Sequence, residues 1–337
     1  MVSLVTGATG FVGSHVAERL VASGAPVRAL VRTTSDVRHL RGLGVELVQG
    51  SLEDAASLDR ACRDVGVVYH NAALVGDWGR EADFVEVDVQ GTARIVEAAV
   101  GAGATRFVHM SSASVYGFFR IRNRHVTEAL PLDPRPWRWD YYARAKAAAE
   151  RVVGRADAGG RIETAILRPS VVYGPRDRAV LPRLVGLLRQ RKLRIIGSGQ
   201  NRPHLVYAGD VAEAAVRAGT RPQARGGVYN LDGRRDCTQQ AFFEAVADLS
   251  GEPPPTRRLP LEAAFVLALL SEAGGHLSRR EAPPALTRYL VILAAGETDF
   301  DLSRAGRELG WEPRTPFEQG FRLTRESHAR GAQGLAA

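Results

Sequence analysis

An α/β fold on a doubly wound parallel sheet is predicted for these 337 residues by three features. Short runs rich in Val, Leu and Ile alternate with helix-patterned segments through the first half of the chain. Those runs are apolar at nearly every position, the pattern of strands covered on both faces rather than of a half-solvated sheet. The first run leads through a glycine-rich turn directly into a helical pattern, which is how a βαβ unit begins.

The elements follow in order. Residues 2–6 form the first strand and 11–23 the first helix; 26–31 is the second strand, 45–49 the third, and 54–63 a helix. Strands at 67–70, 106–111 and 162–168 alternate with helices at 83–102 and around 141–155. Beyond Arg168, prolines cut the chain into shorter pieces: helices near 181–190, 211–218, 239–250, 261–273, 284–293 and 303–309, with strands at 194–196 and 227–231. This rhythm predicts a Rossmann-type dinucleotide domain over 1–175 with parts of 203–232. A smaller, mainly helical substrate-binding domain is expected over 176–202 and 233–325, and a flexible tail over 326–337.

Apolar residues make up 45% and charged residues 24%, with Gly and Pro scattered without period, which excludes collagen, coiled-coil and disordered chains. Cys62 and Cys237 are too few to staple such a fold and have no metal-ligand spacing, so no metal site and a reducing, cytoplasmic setting are expected. No signal peptide precedes the first strand. The apolar stretches 259–270 and 286–295 carry Glu262 and Arg288 and fall short of the roughly 20 residues that span a bilayer. The net charge of +8 rests on arginine, since Lys146 and Lys192 are the only lysines. No nucleic-acid-reading motif accompanies it. Its densest part is 176–202, where eight basic side chains face Asp177 alone, either as a solvated face or as an attractor for an anionic group.

The turn Gly7-Ala8-Thr9-Gly10-Phe11-Val12-Gly13 has GxxGxxG spacing between strand and helix. Its glycines admit a tight turn and close approach of a pyrophosphate, which the free N–H groups of the new helix attract. A dinucleotide is the expected cofactor. After the second strand, where an NAD site usually presents a carboxylate, stand Arg32, Thr33, Thr34 and Ser35. A guanidinium there pairs with a 2′-phosphate, so NADP(H) is preferred and NAD(H) is the second choice.

Tyr142 and Lys146 are four apart on a helical pattern and therefore share a face. A tyrosine of pKa ~10 needs about 4 kcal/mol of phenolate stabilisation to titrate near neutrality, and an adjacent ammonium is expected to supply part of it. Ser111, Ser112 and Ser114 follow the fifth strand, at the sheet edge where open α/β folds bind ligands.

TGATGFVG, His70-Asn71-Ala72-Ala73, SSASVYG, YARAK and Arg168-Pro169-Ser170-Val171-Val172-Tyr173-Gly174-Pro175 occur in this order. Together they resemble an extended short-chain dehydrogenase/reductase, over residues 2 to about 321. The resemblance implies catalysis by Ser112, Tyr142 and Lys146. It implies further cofactor contacts from Ser51, Leu52, Asn71, Ala72, Ala73, Pro169, Val171 and Val172, and substrate contacts from Ser112, Ser114, Tyr116 and Tyr173. A homodimer is also implied. Three positions depart from the pattern: Asp88 stands for the usual Asn, Ser51 for an acid near the adenine, and Ala113-Ser114 for the Asp-Glu pair of sugar dehydratases.

The runs 76–79, 283–289 and 300–313 look most like the 3β-hydroxysteroid dehydrogenase-like branch. That likeness implies reduction of a ketone, or oxidation of a secondary alcohol, on a lipophilic β-keto, β-hydroxy or steroid-like substrate. Trp78, Phe118 and Phe119 are candidates for an apolar pocket, and Phe265 and Leu269 for core. Two alternatives stay open: a nucleotide-sugar 4-epimerase with tightly bound NAD, for which 197–202 would offer Arg202 to a diphosphate, and a non-catalytic dinucleotide sensor.

Overall fold

The computed structural model describes residues 1–117, 124–132 and 139–333. Seven strands make one sheet: β1 (Val2–Thr6), β2 (Val27–Val31), β3 (Glu46–Gln49), β4 (Val65–His70), β5 (Arg106–Met110), β6 (Glu163–Pro169) and β7 (Gly227–Leu231). Their spatial order is β7-β6-β5-β4-β1-β2-β3, with every neighbouring pair parallel. Adjacent residues of one strand feed opposite layers, which is why these strands are apolar throughout. Val5, Val108 and Leu167 meet Val16 and Leu20 of helix Phe11–Ala22 and Val211 and Ala215 of helix Ala208–Thr220 on one face. Leu4, Phe107 and Ile166 meet Leu58, Ile95, Ala99 and Val153 on the other.

A further core lies beside the strand ends. Leu184 and Leu188, Phe242 and Phe243, Ala264 and Ala268, Val291, and Phe321 fill it. The short strand Val171–Tyr173 pairs in parallel with Leu205–Tyr207 and carries the chain towards it, a pairing that periodicity did not reveal. Helix Leu261–Leu277 turns its small residues Ala264, Ala268 and Gly275 inward and leaves Val266, Leu267, Leu269 and Leu270 exposed. Leu269 is therefore not core, because it lies off the buried stripe Ala264, Ala268, Glu272 and Gly275; Phe265 packs partly buried against the cluster.

Other differences follow from long-range packing. The predicted helix 83–102 divides into Glu81–Phe84, a π-helical turn Val85–Gln90 and helix Gly91–Gly101. Ala305, Leu309 and Trp311 join the core of the sheet rather than the helical part, with the Trp311 indole donating to the Asp210 carbonyl at 2.8 Å. Helix Phe317–Gln333 runs through most of the expected tail, with Phe321 anchoring it in the helical core. Among the described residues no helix is long and apolar enough to cross a membrane.

Candidate active site

At the carboxyl edge of the sheet the glycine turn is shaped by what surrounds it. Gly7 has φ +69°, and a Cβ there would lie 2.6 Å from the Ala72 nitrogen. A Cβ on Gly13 would come within 2.2 Å of the Gly7 carbonyl oxygen. The turn is thus pressed against the segment after β4, held by the Thr6 hydroxyl, which accepts from the Ala72 N–H at 3.3 Å. The same hydroxyl lies 2.7 Å from Nδ1 of His70, whose Nε2 is 3.0 Å from the Thr92 hydroxyl. Burial and the Lys146 charge push the His70 pKa down to about 3, so the ring stays neutral in this relay. The sequence reading gave Thr6, His70 and Thr92 no role, although Thr6 and His70 stand in the motifs it quoted.

A cleft of about 590 Å³ runs from this turn across the sheet edge. It is lined by every residue expected to hold the cofactor: Gly7, Thr9, Gly10, Phe11, Val12 and Gly13; Arg32; Ser51 and Leu52; Asn71, Ala72 and Ala73; Tyr142 and Lys146; and Pro169, Val171 and Val172. A glycine cradle that side chains would fill, opening onto the N-terminus of helix Phe11–Ala22, fits a dinucleotide pyrophosphate. Gly13→Ala is expected to weaken NAD(P)H binding about tenfold or more, the consequence of ~1–3 kcal/mol of overpacking at this turn, read by quenching of protein fluorescence.

Ser112 and Ser114 line the same cleft with Tyr142 and Lys146. Helix Tyr141–Ala158 presents the last two; its first turn is capped by Asp140, whose carboxylate accepts from the Ala143 N–H at 3.2 Å. The Lys146 ammonium donates to the Met110 carbonyl at 2.9 Å and lies 5.9 Å from the centre of the Tyr142 ring. The Ser112 hydroxyl accepts from the Ser114 N–H at 3.2 Å.

Titration here departs from the expectation that Lys146 brings Tyr142 towards neutrality. Burial raises the Tyr142 pKa, the Asp88 charge adds to the rise, and a hydrogen bond with Ser112 only partly opposes it. Lys146 is itself lowered by burial, against the pull of Asp88 and Glu150. Asp88, in the π-helical turn, is raised by burial; one of its oxygens accepts from the Leu74 N–H at 2.7 Å, while Oδ2 is buried without a hydrogen-bond partner. The carboxyl that replaces the usual Asn therefore offsets the lysine and favours a protonated Tyr142.

Three residues expected at the substrate lie elsewhere. Tyr116 is fully buried: its hydroxyl donates to Asn230 Oδ1 at 2.5 Å and accepts from Arg168 at 2.8 Å, so it is a strut beneath the sheet edge. Tyr173 is turned into the helical core, its ring centre 5.9 Å from that of Tyr207 and 5.5 Å from that of Phe317. Arg202 donates to the Arg235 carbonyl at 3.1 Å and does not line the cleft. Trp78 sits in a side cavity of about 30 Å³ that shares Ser114, Tyr142 and Tyr289 with the cleft, its indole donating to the Arg280 carbonyl at 2.9 Å. Its ring stacks 4.2 Å from His276. Phe118 and Phe119 lie outside the described residues.

The sequence reading did not find the apolar wall of the cleft. Tyr289, Ile292 and Leu293, from the apolar stretch taken only as a helix, line the cleft with Val75 and Phe300. Asp77 sets that wall in place by accepting from Arg183 at 2.6 Å and from Thr287 at 2.5 Å. Arg183, part of the basic segment, is thereby committed to structure.

Comparison with known proteins agrees with this architecture. The family model described as the NAD dependent epimerase/dehydratase family matches residues 3–232. A 4-hydroxy-2-methyl-3-oxo-4-farnesyl-3,4-dihydroquinoline-1-oxide ketoreductase of Stigmatella aurantiaca is 30% identical, the alignment covering 98% of each chain. A 2-alkyl-3-oxoalkanoate reductase of Shewanella oneidensis is 27% identical over 96% of this chain and 86% of the relative. The crystal structure of gox2253 superposes with a TM-score of 0.78 at 29% identity, covering 98% of both chains. The chain belongs to the NAD-dependent epimerase/dehydratase family of extended short-chain dehydrogenases/reductases and is an NAD(P)-dependent oxidoreductase.

Proposed function

We propose that this protein is an NADP(H)-dependent ketoreductase acting on a lipophilic β-keto substrate. One observation carries the reading: the polar group Ser112, Tyr142 and Lys146 shares its cleft with an apolar wall of Val75, Tyr289, Ile292 and Leu293. The ketoreductase and oxoalkanoate-reductase names of its relatives support the same class. The epimerase alternative loses its chief residue, because Arg202 is held by Arg235 away from the cleft. The dinucleotide supplies the hydride when bound. Gly7, Gly10 and Gly13 would receive its pyrophosphate, Arg32 its 2′-phosphate, and Lys146 its nicotinamide ribose. Ser112 holds the substrate oxygen by a hydrogen bond, and Tyr142 delivers the proton from its hydroxyl to that oxygen as the carbonyl becomes an alcohol. The raised pKa of Tyr142 keeps that proton in place at neutrality. Lys146 supplies positive charge towards the phenolate left behind, and the apolar wall excludes water.

The test is a substrate screen followed by NADPH oxidation at 340 nm, ~ the absorption maximum of the reduced cofactor. Turnover of 2-alkyl-3-oxo acids, their thioesters or ketosteroids is the expected result. Epimerisation of a nucleotide sugar by protein that retains NAD through purification would overturn the assignment.

A further inference from the structure

The basic segment after β6 enters the nucleotide cleft at one point. We propose that Arg178, which lines the same cleft as Arg32, is a second cation for the cofactor's 2′-phosphate; this rests on the NADP(H) reading above.

Residues 174–179 form a strap laid over helix Phe11–Ala22. The Pro175 carbonyl lies 2.9 Å from His15 Nε2, and Arg176 donates to the Ser14 hydroxyl at 2.8 Å and to Glu18 at 2.5 Å. Arg176 takes a left-handed φ of +66°, a conformation that a non-glycine residue holds only when its surroundings fix it. On the other side, the Asp177 carboxylate accepts from the N–H groups of Ala179, Val180 and Leu181 at 2.8, 3.1 and 3.0 Å, opening helix Val180–Arg189. Both neighbours of Arg178 in the strap are therefore tied down, and the Asp177 charge is already answered by backbone donors. Arg178 itself is exposed, lines the cleft, and makes no hydrogen bond or ion pair among the described residues.

Arg32 and Ser35 line the bank beyond β2, and Arg32 is likewise exposed and unpaired among the described residues. Arg178 is near enough to that bank for its charge to act on Asp36. Asp36 is not its partner, because Arg38 already holds both carboxylate oxygens, at 3.1 and 2.7 Å. Glu53 also lines the cleft, but next to Ser51 and Leu52, beside the adenine end. The arrangement leaves two free guanidiniums lining one cleft. A phosphate monoester carries ~ −1.5 to −2 charge and three acceptor oxygens at neutral pH, more than one bidentate guanidinium satisfies. An unphosphorylated ribose gives neither arginine a charged partner.

The experiment measures equilibrium binding of NADPH, NADH, adenosine 2′,5′-bisphosphate and 5′-AMP to wild type, Arg178→Ala, Arg32→Ala and the double variant, by calorimetry at low salt. Arg178→Ala is expected to weaken NADPH and the 2′,5′-bisphosphate about tenfold, to leave NADH and 5′-AMP unchanged, and to keep the wild-type thermal midpoint. The double variant should bind NADPH and NADH with similar affinity. Equal weakening of NADPH and NADH by Arg178→Ala would assign the side chain to the pyrophosphate and overturn the proposal, as would no change in either. If Arg32→Ala alone lowers the NADPH preference, only the role of Arg178 falls. If neither variant alters that preference, the NADP(H) reading falls with it.

Discussion

Tyr142→Phe is expected to lower the rate of ketone reduction by about a thousandfold, the scale of general acid catalysis by one positioned group, while NADPH binding stays within about twofold of wild type. The phenol lines the cleft, is hydrogen-bonded with Ser112, and has the buried Lys146 ammonium 5.9 Å from its ring centre. Removing its oxygen takes away the proton donor and the bond to Ser112, but neither the glycine cradle nor Arg32. Steady-state kinetics and cofactor titration on the same preparation separate the two effects. A variant that reduces substrate at the wild-type rate would remove Tyr142 from the mechanism. The direction of the pKa shift adds a second readout. Burial raises Tyr142, so the donor remains protonated to higher pH than a free tyrosine, and the wild-type reduction rate should fall only on the alkaline side. Asp88→Asn removes a charge that adds to the burial-driven rise of Tyr142 and should move this alkaline limb to lower pH.

Arg168→Met is expected to be the most destabilising substitution near the site, at about 3–5 kcal/mol, because it strips the partner from a buried carboxylate. Arg168 on β6 donates to Glu150 of the catalytic helix at 2.9 and 2.6 Å and to the Tyr116 hydroxyl at 2.8 Å. The side chains of the ion pair are only 6% and 4% exposed, so solvent cannot take over either charge. Glu150 also accepts from the Ser111 hydroxyl at 2.5 Å, next to Ser112. One ion pair thus ties together the helix carrying Tyr142 and Lys146, the loop carrying Ser112, and the strand that ends at Pro169. Urea denaturation should show the loss in the midpoint. The double variant Glu150→Leu/Arg168→Met should recover a large part of it, since no uncompensated charge then remains buried. A loss below about 1 kcal/mol in the single variant would mean that water reaches Glu150.

The strands and helices of the first half were legible because each is written in local pattern. Val2–Thr6 and Arg106–Met110 are apolar throughout since each feeds two layers, and the glycine turn is recognisable because its spacing is dictated by backbone geometry. The cofactor side of the cleft was legible for the same reason, as most of its residues sit at or just beyond the carboxyl ends of strands, with Tyr142 and Lys146 added by their helical spacing. That help does not extend to the direction a side chain takes. Tyr116 and Tyr173 are near motif residues in sequence, yet one is drawn inward by Arg168 and Asn230 and the other by Tyr207 and Phe317.

By itself the sequence determined the doubly wound sheet and the glycine turn, set by short-range spacing and strand ends, and its family resemblance pointed to Ser112, Tyr142 and Lys146. Only the tertiary structure decided which second-half residues wall the cleft, which arginines stay free, and which way the tyrosine titrates. Those outcomes depend on contacts between residues far apart in the chain: Asp77 holding Arg183 and Thr287, Arg235 holding Arg202, and the burial of Asp88 near Lys146. Periodicity carries no record of such contacts, because burial and electrostatic coupling exist only once the chain has packed.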